Sequence, residues 1–109
     1  MEIRLTEVEP MVEIGIRTQF SYYIFQVTEP TKCTGFLSGG RLGPTPREAF
    51  LANTFLSANR CISKTEQLET GYRAMFYLGP GGDHVMTTSV ITELAFAAPR
   101  RTDSSPGDC

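Results

Sequence analysis

Hydrophobic and polar side chains alternate along the first third of the chain in the two-residue rhythm of a half-buried β-strand. Val12, Ile14, Ile16 and Thr18 fall on one face of such a strand, and Glu13, Gly15 and Arg17 on the other. Ile3 and Leu5 predict a shorter strand ahead of it, which Pro10 ends. Phe20 to Thr28 is dense in aromatic and β-branched residues and predicts a further strand. In the turn Glu29-Pro30-Thr31-Lys32, Pro30 brings the fixed φ that the first central position requires. Cys33 to Ser38 then completes a meander.

The rhythm changes at Thr45. A capping Thr45, Pro46 as first helical residue and Glu48 closing a capping box together mark a helix start. Ala49, Ala52 and Leu56, with Phe55 and Ala58, recur at helical spacing and predict a helix over Pro46 to Asn59. The β-preferring Phe50, Thr54 and Phe55 pull against it, and a strand in this place would make the fold an all-β barrel. Ser63 to Glu66 repeats the capping pattern, and Gly71 ends a short second helix. Tyr72 to Leu78 and Val85 to Phe96 read as strands around a hairpin loop, Gly79 to His84. The last of these is apolar on both faces, as in a strand at the middle of a sheet or between layers.

The expected fold is therefore α+β: a small antiparallel sheet of about five strands, arranged as meander, helix crossover and C-terminal hairpin. One main helix lies near 46–59, and the alternative is a small all-β barrel. Residues 1–98 are expected to form one domain. Residues 99–109, polar and containing Pro99, Pro106 and Gly107, are expected to be a disordered tail.

One helix covers one face of a sheet. Tyr23, Phe25, Val27, Met75 and Tyr77 populate the other. Either the sheet curls to bury them, or a partner covers them as an interface, whether a second copy or another protein.

Composition removes several functions. With 40% hydrophobic and 20% charged residues and a net charge of −2, the chain is an ordinary globular one. It has no apolar run long enough to cross a membrane as a helix, and no membrane partner is expected. Eight Arg and two Lys are scattered rather than clustered, which argues against duplex nucleic acid. Cys33, Cys61 and Cys109 form no C-x-x-C pair. Cys33 and Cys61 read as small buried thiols and Cys109 as an exposed one. Together with an N-terminus lacking signal-peptide features, they point to the cytoplasm.

His84 is the single histidine, so no metal-ligand spacing exists and no cofactor is expected. A Cys33–His84 or Cys61–His84 pair has no motif around it, and no G-x-S-x-G elbow is present. The glutamates Glu2, Glu7, Glu9 and Glu13 read as a solvated face. An enzyme is not expected.

Two loops remain. Gly39, Gly40, Arg41, Gly43 and Arg47 join a strand to the predicted helix, and a glycine-rich turn with arginines at a helix start suits an anion. Asp83 and His84 sit on the second glycine loop, a candidate for recognition. The expected function is a small non-enzymatic binding protein, an adaptor, inhibitor or assembly subunit, that works through protein contacts and self-associates. The alternative is a binder of a phosphorylated metabolite or nucleotide at the 38–47 loop.

Overall fold

A computed structural model of the chain describes residues 1–56, 58–59 and 61–97, and the expected tail, 99–109, lies outside the described residues. Alternation governs far more of it than the sequence reading allowed. Ten strands form: β1 (Glu2–Arg4), β2 (Val12–Thr18), β3 (Tyr22–Glu29), β4 (Thr34–Gly39), β5 (Arg47–Leu56), β6 (Ser63–Lys64), β7 (Gln67–Glu69), β8 (Tyr72–Leu78), β9 (His84–Thr87) and β10 (Ile91–Phe96). The only helical elements are 3-10 turns of three residues, and no helix of seven or more residues occurs among the described residues. The α+β expectation is thereby overturned.

The main helix near 46–59 is replaced by β5, and the reason is a bulge. Ala49, Leu51 and Thr54 stand opposite Leu78, Phe76 and Ala74 of β8, and the register slips between Leu51 and Asn53. The extra residue moves the inward positions from odd to even numbers, which imitates helical spacing in the sequence. The short second helix is also absent. Gln67 to Glu69 instead pair with β1: Glu69, Leu68 and Gln67 stand opposite Glu2, Ile3 and Arg4, and Leu68 and Ile3 reach the core.

The main sheet has eight strands, all paired antiparallel, in the order β10-β2-β3-β4-β5-β8-β9, with β6 alongside β5. It does not close by a ladder, so the all-β barrel is not formed either. The expected last strand, Val85 to Phe96, is divided: β9 pairs with β8 at one end of the order and β10 with β2 at the other. One run of chain therefore serves both ends of the sheet.

Thr88, buried at the corner between them, stands in for ladder groups. Ala74 N–H donates to Thr88 Oγ1 at 3.0 Å, Thr88 N–H donates to the Ala74 carbonyl at 2.9 Å, and the Thr88 hydroxyl donates to the Ser89 carbonyl at 2.7 Å. Arg73 Nε donates to the Thr88 carbonyl at 2.9 Å. The Thr88 amide, hydroxyl and carbonyl are thus all bonded.

The inner face is continuous and apolar. Ile14 and Ile16 from β2, Tyr23, Phe25 and Val27 from β3, Leu37 from β4, Leu51 from β5, Phe76 from β8 and Leu94 from β10 are all buried in one cluster. Phe25 and Phe76 meet edge to face, ring centroids 5.2 Å apart at 75°. Val27, Gly35, Ala49 and Leu78 make one row across β3, β4, β5 and β8. Gly35 has no room for a side chain: a Cβ there would run into the Gln26 carbonyl oxygen.

Two outcomes follow for stability. Replacing Thr88 by valine leaves the Ala74 amide buried without its acceptor and should cost about 1–3 kcal/mol in urea unfolding. Gly35→Ala should cost roughly 3 kcal/mol or more, because backbone must move. Gly15→Ala is the control, since the obstacle there is the tip of the Tyr22 side chain, which can swing aside; it should stay within about 1 kcal/mol.

Candidate binding surface

With one set of alternating positions filling the interior, the other set faces outward. Of the five residues expected at an interface, Tyr23, Phe25 and Val27 are core residues, with Phe25 and Val27 fully buried. Met75 and Tyr77 lie on the outer face, half-buried. The outward residues of β3 and β4 are instead Tyr22, Ile24, Gln26, Phe36 and Ser38, and those of β5 include Glu48 and Phe50. Tyr22, Phe36 and Phe50 are exposed, as is Val85 on β9.

The ladders set these side chains in two rows. One runs Glu13, Gln26, Phe36, Glu48 across β2, β3, β4 and β5. The next runs Thr34, Phe50, Tyr77, Val85 across β4, β5, β8 and β9, with Glu29 opposite Thr34. Phe50 and Tyr77 stack, centroids 6.1 Å apart and planes 9° from parallel. Stacking of this kind holds two large rings at the surface in a fixed attitude.

Depressions lie on either side of Phe36. The first, about 330 Å³, is bounded by Glu13, Tyr22, Gln26, Phe36 and the prolines Pro44 and Pro46. The second, about 340 Å³, lies between Glu29, Phe36, Glu48, Phe50, Tyr77 and Pro80. A third, toward β9, adds Arg47 and His84. Phe36 is common to all three. At the far side of the first, the phenol end of Tyr22 lies over Gly15, with the Arg17 guanidinium 5.1 Å from the ring centroid and 3.4 Å from Glu93.

The glycine loop is built differently from an anion cradle. Gly39 N–H donates to the Gly43 carbonyl at 2.7 Å and Gly43 N–H to the Gly40 carbonyl at 3.3 Å, so these amides serve the loop itself. No helix begins there: Gly40–Leu42 is a single 3-10 turn and Arg47 opens a strand. Gly40, at φ 50°, leaves a gap into which Tyr23 fits, since a Cβ would lie 2.6 Å from the ring. Arg41 and Arg47 are exposed, and of the two only Arg47 lines one of the depressions. On the second glycine loop Asp83 is exposed beside Gly81, and His84 is exposed at the start of β9.

Cys33 is buried, while Cys61, expected inside, is exposed. Its amide donates to Asn59 Oδ1 in a surface turn. Burial, reinforced by the charge of Glu66, pushes the Cys33 thiol above its ordinary value. His84 lies on the outer face, so the structure does not bring a Cys33–His84 pair together.

No family model, curated protein or solved structure matches the chain. Sequence reading placed Glu13 on a solvated face but missed Tyr22, Phe36, Phe50 and Glu48 as its companions on the outer surface. The available signal was parity: in Phe20 to Thr28 both alternating sets are apolar, so which one is surplus depends on the partner strands.

The two thiols should separate experimentally. Native protein treated with iodoacetamide near neutral pH should be modified at Cys61 and spared at Cys33, as read by peptide mass mapping. Because the native Cys33 thiol is raised, the unfolded chain ionises first as pH climbs. The associated stability is complete below about pH 8.5, the ordinary thiol value, and is lost as pH rises through the native value. Cys33→Ala should flatten that alkaline slope in thermal melts.

Proposed function

We propose that the chain is a non-enzymatic protein-binding module that engages a different protein across its outer sheet face. The observation that carries this reading is the aromatic track Tyr22, Phe36, Phe50, Tyr77, ending at Val85. Contiguous exposed aromatic surface of this kind is disfavoured on a chain that functions alone. Interfaces, by contrast, draw their binding energy from a few aromatic anchors set beside pockets. Phe36, between depressions, is such an anchor.

Charge and loop geometry favour this reading over self-association and over ligand capture. A twofold pairing of two copies through this face would bring the row of Glu13 and Glu48 against an equally acidic surface, which favours a foreign partner over self-association. A phosphorylated ligand at the 38–47 loop loses support because the loop amides bond to each other. Catalysis by Cys33 is disfavoured by a thiol raised rather than lowered. Two free thiols, Cys33 and Cys61, agree with a reducing compartment, and we place the protein in the cytoplasm. No helix among the described residues is long and apolar enough to cross a membrane.

A displayed library of short random peptides, panned against the wild-type chain, tests this reading. Selected peptides should lose at least about tenfold in affinity for Phe36→Ser and Phe50→Ser, as expected for anchor residues. They should keep it for Ile62→Ser, an exposed residue that lines none of the three depressions. Binders indifferent to Phe36 and Phe50 would remove the outer face from consideration.

A further inference from the structure

The first two depressions are chemically one-sided. The first depression is lined by Glu13 and the second by Glu29 and Glu48, and neither is lined by Lys, Arg or His. Glu29 is partly answered by Lys32 at 3.8 Å. Glu13 and Glu48 have no ion-pair partner among the described residues. Several cations elsewhere are already engaged among the described residues: Arg4 with Glu7, Arg17 with Glu93, Lys64 with Glu69 at 2.7 Å, and Arg73 with the Thr88 carbonyl. Arg47 and His84 line only the third depression, toward β9, which Glu48 borders as well.

From this we infer that the outer face binds a basic, extended segment of its partner, with Lys or Arg side chains paired to Glu13 and Glu48 on either side of Phe36. The inference rests on the binding reading above and adds the chemistry of the occupant. A cationic side chain here meets both things it favours, a carboxylate and an aromatic face.

The ladder also supplies a spacing. Glu13, Gln26, Phe36 and Glu48 occupy successive strands. Three inter-strand steps of about 4.8 Å place the backbones of Glu13 and Glu48 roughly 14 Å apart. An extended chain advances about 3.3 Å per residue, so cations about four residues apart would reach both. Small or apolar residues between them would lie on Phe36, with proline favoured because it holds the segment extended before binding.

Fluorescence anisotropy with synthetic peptides tests the inference. The probe is a labelled nonapeptide with arginine at its third and seventh positions and alanine, leucine and proline elsewhere. Its analogues carry glutamine or glutamate at those two places. The arginine peptide should bind wild type about five- to tenfold tighter than the glutamine analogue, the range of one or two solvent-exposed ion pairs. That preference should vanish in the Glu13→Gln/Glu48→Gln double variant, whose circular dichroism should match wild type. Phe36→Ala should weaken the arginine and glutamine peptides alike.

Equal binding of the arginine and glutamine peptides, or a preference that survives in the double variant, would overturn the basic-segment inference. Continued sensitivity to Phe36 would then leave the binding face itself standing. Preference for the glutamate peptide, or no binding by any of the three, also overturns the inference, and the display selection judges the face independently. A concentration-dependent dimer abolished by Phe36→Ala would seat a second copy there and overturn both readings.

Discussion

Phe25 and Phe76 come from β3 and β8, three places apart in the strand order, yet their rings meet at 5.2 Å. In a flat sheet three inter-strand steps of about 4.8 Å and the four-residue offset from Arg47 to Leu51 along β5 would hold the same two positions roughly 20 Å apart. The contact therefore requires the sheet to curl, with its inner face wrapped on itself in place of a covering helix. What one helix was expected to do, the sheet does with its own far side. Tyr23, Phe25 and Val27 are consumed in that interior, and the outward set of side chains is left to solvent on a bent surface. Curvature spreads outward side chains apart, which is why depressions open on both sides of Phe36.

The strands whose partners did not matter were legible from the pattern alone. β2, β3, β4 and β8 follow directly from alternation and turn chemistry. The errors arose where a local pattern has two readings. In β5 a bulge at Ala52 shifts the inward phase, so Ala49 and Leu56 fall at positions a helix would also place together. In β7 a capping pattern lies over Leu68, whose burial depends on pairing with Ile3, a residue far away in sequence. Parity was the second ambiguity. β3 is apolar on both sides, and only its register against β2 and β4 decides that Phe25 points in and Tyr22 out. Met75 and Tyr77 were placed on the binding face by the sequence, while Phe36 and Phe50 were hidden by a missing partner strand and a misread helix.

The electrostatics of the face arise from the same geometry. Glu13 and Glu48 are distant in the chain and unremarkable individually. Antiparallel pairing sets them in one row with Phe36 between, so two solvated carboxylates become the ends of a measured interval. The arginines expected at an anion site stand outside that interval, and in the loop carrying Arg41 the Gly39 and Gly43 amides bond within the loop. The loop's contribution to the face is mechanical: it sets Pro44 and Pro46 as one wall of the first depression.

The run from His84 to Phe96 serves both ends of the sheet, with Thr88 at its corner. On a ribosome this has a temporal meaning. Strands β2 to β5 and β8 all precede, in chain order, the segment that joins the two ends, so the nascent chain carries an unsealed apolar trough until that segment emerges. Long-range antiparallel closure of this kind is intrinsically slow, and the interval before it is when a chaperone has most to shield.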